Sequence, residues 1–357
     1  MARSYKQIIY ANTPSPAIDP DLSKGTFALK TATIPDPIPD DKVLVRVHYL
    51  SLDPAMRNWL TAKRSYIAPV ERGAVMRGQS IAQVLSMGRN LKGQYKVGDW
   101  VVALSGWQEY AVLGAQEAEK IVVPPGCRPW DAMSVLGLTG LTAYFGLLEV
   151  AGVKPGDTVV VSGAAGATGM VAGQLAKIKG AKRVVALAGS ADKCSFLKNE
   201  LGFDVAINYK DEDWRKQLKN AVPDYIDVYF DNVGGEILDA CLSLAARNAR
   251  FAICGAISQY NSAKPQGPAN YLMMISQRVT MKGFIVLDFA ERFPAARKEL
   301  AQWLQEGKIK RKEYIVKGGL EAAPQGLVDL YAGVNTGKMM VEVAPLTEAV
   351  EANRATL

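Results

Sequence analysis

The stretch Ser162-Gly163-Ala164-Ala165-Gly166-Ala167-Thr168-Gly169 places three glycines at intervals of three. In front of it runs Asp157-Thr-Val-Val-Val-Ser162, a buried-strand sequence. Behind it, residues 169–179 put Val171, Leu175 and Ile178 on one helical face. Glycine permits a tight turn and a close backbone approach, and the helix N-terminus behind it offers free N–H groups and the positive end of its dipole. Such a turn can seat a pyrophosphate. The G-x-x-G-x-x-G spacing is unspecific by itself and also fits a turn without ligand. Its place between a strand and an amphipathic helix makes the nucleotide reading the better one.

The following strand, 183–188, ends in Gly189-Ser190, with Lys193 one turn further on. An acid there would take the ribose hydroxyls of an adenosine and repel a 2′-phosphate. A small residue, a hydroxyl and a cation suit a phosphate dianion instead, which points to NADPH rather than NADH. Asp192 is the one opposing charge, expected on the first helical turn and facing solvent. Ser190 also suits the role of helix N-cap.

These residues need a parallel sheet to hold them. Strands at 157–162, 183–188, 204–209, 226–231 and 250–255 alternate with helices at 169–179, 191–201, 213–221 and 236–246. Crossovers of that length force strands to run parallel, the pattern of a doubly wound α/β nucleotide-binding domain. The first ~125 residues have a different rhythm, with short alternating runs at 26–34, 42–50, 79–86, 99–104 and 107–113 and no long amphipathic helix. They predict an antiparallel, barrel-like domain. The tail, 308–344, returns to short strand-like runs and is expected to fold back onto that first domain.

Composition restricts the function classes. The chain has 357 residues, 49% hydrophobic and 22% charged, which suits two globular domains. It has no uninterrupted apolar run long enough to span a bilayer, and Met1 to Gln7 lack a secretory core, so a cytoplasmic protein without a membrane partner is expected. Cys127, Cys194, Cys241 and Cys254 form no Cys-x-x-Cys pair and read as reduced, small apolar residues. The net charge of +7 comes from scattered Lys and Arg with one short cluster, Lys308-Ile-Lys-Arg-Lys312. That cluster reads as a solvated helix end, and no nucleic-acid partner is expected.

Over nearly its whole length the chain resembles the zinc-free medium-chain dehydrogenase/reductase family, in the group of prostaglandin reductases, plant alkenal double-bond reductases and NADPH-dependent curcumin reductases. The carrying segments are Leu50-Ser-Leu-Asp-Pro54 with Met56-Arg57, Gly98-Asp-Trp-Val101, Gly140-Leu-Thr-Ala-Tyr144, 203–209, Tyr229-Phe-Asp-Asn-Val-Gly-Gly235, Cys254-Gly-Ala-Ile-Ser-Gln-Tyr260, Gly283-Phe-Ile-Val286 and Asn335-Thr-Gly-Lys338. Leu104-Ser-Gly-Trp-Gln108 points to the curcumin-reductase branch.

The resemblance implies a GroES-like β-barrel substrate domain (1–128 and 308–357), a Rossmann NADPH-binding domain (129–307) and a homodimer. It implies a pyrophosphate seat at Ala165, Gly166, Ala167 and Thr168, an adenosine-phosphate side at Lys193 and Tyr209 beside Gly189 and Ser190, and a cofactor role for Asn232. It also implies a cleft lined by Cys254, Gly255, Ala256, Ile257, Ser258, Tyr260, Phe284, Ile285, Val286 and Asn335. The chain departs from the family at Ala55, where tyrosine is frequent, and at Leu138-Thr139, where Met-Pro is. Both positions are expected on the substrate wall. Zinc dehydrogenases share the architecture, but their Gly-His-Glu is Gly78-Gln79-Ser80 here, and no cysteine precedes Cys127. No metal site is expected. The single histidine, His48, lies in a strand and reads as structural.

Without metal or histidine, the chemistry must need little acid–base help. Hydride transfer from NADPH to the β-carbon of an α,β-unsaturated ketone or aldehyde creates an enolate, and the site then has to orient the alkene and donate to the oxyanion. Tyr260 is the candidate donor, with the cofactor's ribose hydroxyl available beside it; a tyrosine that merely packs on the cofactor is the alternative. Tyr260-Asn-Ser-Ala-Lys264 spells Tyr-x-x-x-Lys, but Pro265 and Gly267 mark a loop, so the two side chains are not expected on one helical face. Ser190-Ala-Asp-Lys193 imitates an acyl-transfer motif without its partner motifs. A quinone oxidoreductase and a non-enzymatic NADPH-binding protein are the rival readings.

Overall fold

The computed structural model describes residues 4–345. Residues 1–3 and 346–357, counted above with the first domain, lie outside the described residues. The chain opens with an antiparallel pair, β1 (Ser4–Tyr10) and β2 (Phe27–Thr33). Then come β3 (Lys42–Ser51), β4 (Ser80–Met87), β5 (Trp100–Ala103), β6 (Tyr110–Gly114) and β7 (Ala118–Lys120). The alternating runs anticipated β2 to β6, whereas β1 and β7 were not anticipated. Between β3 and β4 the only helical segment is the 3-10 turn Pro54–Leu60.

The second half places α1 (Leu138–Phe145), β8 (Thr158–Ser162), α2 (Ala167–Ile178), β9 (Arg183–Ala188), α3 (Ala191–Asn199), β10 (Val205–Asn208), α4 (Trp214–Ala221), β11 (Ile226–Asp231), α5 (Gly235–Ser243), β12 (Ala245–Ile253), α6 (Met273–Ser276), β13 (Thr280–Gly283) and α7 (Phe293–Gln305) in chain order. Six strands form one sheet in the order β10-β9-β8-β11-β12-β13, and all its pairings are parallel. Its side chains alternate between two cores. Val159, Val161, Val184, Ala186, Val228 and Phe230 face one layer, and Val160, Val185, Leu187 and Tyr229 face the other. Both faces are covered, so these strands are apolar throughout rather than alternating, and each large side chain contributes roughly 1.5–3 kcal/mol of burial.

Two boundaries differ from the sequence reading. The helix expected to reach residue 246 ends at Ser243, because Ala245 already pairs with Ile226 of β11 ahead of a register shift. The strand expected to reach 255 ends at Ile253, where the Cys254 and Gly255 N–H groups both donate to the Asp231 carbonyl.

The tail contains β14 (Glu313–Val316), α8 (Ala323–Ala332) and β15 (Lys338–Glu342). Its strands join the first-half sheet, ordered β14-β15-β3-β4-β5-β7, with β6 also on β3. The helix α8 is a correction to the strand-like tail. Ala323, Leu327 and Leu330 recur at helical spacing and are buried against Leu52, Met56 and Leu60. Pro324 opens α8, and Gly333, left-handed at φ 71°, closes it. The basic cluster follows α7, with Lys308, Lys310 and Lys312 exposed. Arg311 turns inward to the fully buried Asp131, 3.0 Å away, which also holds Arg128. Among the described residues no helix is long and apolar enough to cross a membrane.

Candidate active site

The six-stranded sheet reverses its winding direction between β8 and β11, and a crevice opens beyond the C-terminal ends of those two strands. Gly163 turns the chain there with a φ of 57°. A Cβ on Gly169 would run into the Gly163 carbonyl and the Ala164 Cα, so strand and helix meet only because that position lacks a side chain. No side chain caps α2, no acidic residue sits in its first turn, and the Ala167, Thr168 and Gly169 N–H groups have no acceptor among the described residues. A helix start left this bare fits the pyrophosphate of a dinucleotide.

Asp231, buried at the end of β11, anchors the other lip. Its Oδ1 accepts from Ser162 Oγ (3.0 Å), Tyr229 OH (2.7 Å) and the N–H groups of Val233 and Gly234 (2.9 Å each). Burial pushes its carboxyl up from the ordinary value even against those donors. The result is a fixed Asn232, whose Nδ2 donates to the Ser162 carbonyl at 2.7 Å and so locks β11 to β8.

At the far end, Gly189 follows β9, and a Cβ there would lie 2.7 Å from the Tyr209 hydroxyl. Lys193 Nζ donates to the Gly333 carbonyl at 2.6 Å, while burial, and then Lys210, lower its pKa. Lys193 and the Tyr209 phenol line this end of the cleft, and a cation beside a hydroxyl suits a phosphate dianion. Asp192 is exposed on the first turn of α3. Ser190 is the α3 N-cap, its hydroxyl accepting from the Lys193 N–H at 3.3 Å.

The cleft has a volume of about 1310 Å³. Its walls bring together Ala165, Gly166, Ala167, Thr168, Gly189, Lys193, Tyr209, Asn232, Cys254, Gly255, Ile257, Ser258, Tyr260, Phe284, Ile285, Val286 and Asn335 with Ala55, Leu138 and Thr139. Ser190 and Ala256 stand outside these walls; Ala256 lines a shallower hollow beside Tyr260 and Gly283. Tyr260 follows the 3-10 turn Ile257–Gln259 in a loop, as its neighbours Pro265 and Gly267 imply. Its hydroxyl accepts from the Ala256 N–H at 3.2 Å, and its own proton has no acceptor among the described residues. Burial raises its pKa, so it is a neutral donor near pH 7. Cys254, pushed up to about 12 by burial, is a neutral thiol rather than a nucleophile.

The tail closes the cleft from the barrel side. Gly337 N donates to the Ala165 carbonyl at 2.8 Å, tying the phosphate turn to β15. Asn335 Nδ2 donates to the Gly337 carbonyl at 2.7 Å. Next in line, Lys338 is 2% exposed and bonds Asp53 Oδ1 at 2.6 Å and the Leu52 carbonyl at 3.2 Å. Asp53 also accepts from Ser51 Oγ. Asp231, Asp53, Lys338, Arg57 and Gly337 carry no expected role from sequence, although all lie in the segments that carry the resemblance. Asp53 just past the end of β3 and Lys338 at the head of β15, a charge of each sign next to apolar neighbours, were the available signal. His48 is buried, with Nδ1 3.3 Å from the Ala344 carbonyl and Trp100 against its ring, and its pKa is lowered by that burial.

Comparison with known proteins places this architecture. Residues 6–121 match the family described as N-terminal domain of oxidoreductase, and residues 167–303 match that described as zinc-binding dehydrogenase. Among the described residues, however, no three His, Cys, Asp or Glu side chains gather as a metal would require. A putative NADP-dependent oxidoreductase of Bacillus subtilis, YfmJ, is 45% identical over 89% of this chain and 93% of its own. The NADPH-dependent curcumin reductase of Escherichia coli is 39% identical over 85% of this chain and 88% of its own. The crystal structure of CurA from Vibrio vulnificus in complex with NADPH superimposes with a TM-score of 0.87 at 39% identity, covering 96% of this chain and 100% of that one. On this identity, coverage and shared two-sheet architecture, the chain belongs to the medium-chain dehydrogenase/reductase family, in the group that holds the curcumin, prostaglandin and 2-alkenal reductases.

Proposed function

We propose that this chain is an NADPH-dependent reductase of the carbon–carbon double bond of α,β-unsaturated ketones and aldehydes, working without a metal. The observation that carries the reading is the Tyr260 O–H, a neutral donor with no acceptor among the described residues, on the wall of a cleft that begins at a bare helix N-terminus. NADPH, when bound, supplies the hydride to the β-carbon. The chain's own residues do the rest. The Ala165–Thr168 turn holds the pyrophosphate, Gly189, Lys193 and Tyr209 hold the adenosine phosphate, and Asn232, residues 254–258, residues 284–286 and Asn335 line the cofactor's path. Tyr260 donates to the oxygen on which the enolate charge develops. In this reading the barrel domain comprises 1–128 and 308–357 and the nucleotide domain 129–307.

The test is NADPH oxidation with an alkenal, with a quinone and with no acceptor. Turnover of the alkenal well above the quinone is expected. Turnover of the quinone alone would make the chain a quinone reductase, and none with either would leave a binding protein. The phosphate reading has its own check. Lys193→Ala should weaken NADPH at least about tenfold while leaving NADH binding unchanged. Equal loss for both cofactors would show that Lys193 does not read the phosphate.

Substrate choice follows from Ala55, which stands on the cleft wall beside Pro54 and Trp59. A methyl group there leaves room for an aryl substituent. Ala55→Tyr should cut turnover of aryl-substituted enones about tenfold more than that of short alkenals, measured as the ratio of kcat/KM. A uniform effect would contradict the assignment.

We further infer a homodimer. Among the described residues β13 is an edge strand paired only with β12, and near it in sequence Tyr271, Leu272 and Ile275 are 58%, 59% and 73% exposed. An open edge flanked by exposed apolar groups suits a second copy of the same sheet. A monomer mass by light scattering would exclude it. Four unpaired cysteines accord with a reducing, cytoplasmic setting.

A further inference from the structure

Arg57 is a buried guanidinium, 7% exposed, with no carboxylate within ion-pair distance among the described residues. A charge so placed needs strong acceptors to hold it. The two it has come from distant parts of the chain. Nη2 donates to the Pro16 carbonyl at 2.6 Å, and Nε donates to Asn261 Oδ1 at 3.0 Å. Asn261 belongs to the nucleotide half and is the residue after Tyr260, whereas Arg57 sits in the 3-10 turn Pro54–Leu60 that also carries Ala55. Tyr331 of α8 clamps the same turn, its hydroxyl donating to the Pro54 carbonyl at 2.8 Å and accepting from the Arg57 N–H at 3.0 Å.

We propose that Arg57 is a positioning residue: its hydrogen bond to Asn261 fixes the Tyr260 hydroxyl relative to the Pro54–Leu60 turn, so that the oxyanion donor and the substrate wall share one frame. Tyr260 stands in a loop whose local hydrogen bonds, from Ser258 Oγ to the Val233 carbonyl and from Gln266 N to Gln259 Oε1, tie it only to its own domain. Arg57 is the side chain that refers the Tyr260–Asn261 pair to the opposite wall. The planar fork suits two acceptors at fixed angles, which a lysine cannot reproduce. The proposal rests on the oxyanion role given to Tyr260 above, and its consequence for rate follows from the steep dependence of turnover on donor placement.

The test uses Asn261→Ala, which breaks the contact from its less buried side, and Arg57→Lys, which keeps the charge but cannot serve both acceptors. Each should lower kcat about tenfold with the NADPH Kd within about twofold, and the two together should cost little more than either alone. In a Tyr260→Phe background, Asn261→Ala should cost less than about twofold, since the hydroxyl being positioned is gone. A crystal structure of Asn261→Ala should place the Tyr260 ring roughly 1 Å from its present position. Unmoved ring and multiplicative losses would overturn the positioning role while leaving the oxyanion role standing. A displaced ring with Tyr260→Phe fully active would uphold the positioning contact and remove the oxyanion role.

Discussion

Tyr260→Phe should lower kcat by about 10- to 100-fold while the NADPH Kd stays nearly unchanged. Removing one oxyanion donor can cost on the order of 10²–10³-fold, and the cofactor's ribose hydroxyl remains as a second donor, which sets the smaller figure. The contact matters more once charge has reached the oxygen than in the ground state, so the loss falls on kcat rather than on binding. Phenylalanine keeps the ring on the cleft wall. It also leaves the Ala256 N–H without its 3.2 Å acceptor, at a rim where water can replace it. Steady-state kinetics with an enone, beside direct titration of NADPH, separate the two effects. An unchanged kcat would reject the catalytic role, and a large rise in NADPH Kd would make Tyr260 a cofactor-binding residue.

Asp53→Ala should destabilise the protein by about 3 kcal/mol, because it strands an ammonium that is 2% exposed. Lys338 would keep only the Leu52 carbonyl, 3.2 Å away. The Asp53 side chain is 28% exposed, so water can enter the vacated space and the loss stays at the low end for a broken buried pair. The melting temperature should fall by roughly 5 °C. Adding Lys338→Met should recover part of that loss, since it removes the stranded charge and leaves an apolar chain of similar length. Thermal unfolding of the single and double variants decides the matter. A single variant as stable as the parent, or a double variant worse than the single, would show that Lys338 is solvated despite its surroundings. The position also matters for the site: Lys338 follows Gly337, which bonds the phosphate turn, and Asp53 precedes the turn carrying Ala55 and Arg57. A shift at this pair would be felt on both sides of the cleft.

What the sequence alone determined is local. The β-branched run 158–161, the glycine turn and the periodic face of α2 are written within about twenty residues, and short-range sterics and burial suffice to form them. The Gly189-Ser190 ending of β9, with no acid at those two positions, and the Gly78-Gln79-Ser80 segment in place of Gly-His-Glu were equally plain, because each depends on which residues are present and not on where they go. The misreadings have local causes too. The alanines at 245–246 favour helix by propensity, but pairing of Ala245 with β11 draws them into a strand. In α8 the 3.6-residue rhythm of Ala323, Leu327 and Leu330 was present but was masked by strand-like runs on either side.

Tertiary structure alone decided which residues meet. Asp231 accepts four hydrogen bonds at one oxygen because three of its donors follow it or flank it in β11 and the fourth, Ser162, arrives on β8. Lys338 finds Asp53 across 285 residues, and Arg57 finds Asn261 across 204. No periodicity encodes such distances. A buried charge is too costly to keep unpaired, so the sequence announces that a partner must exist, but only the docking of the tail onto the barrel, and of the barrel onto the sheet, settles which residue it is.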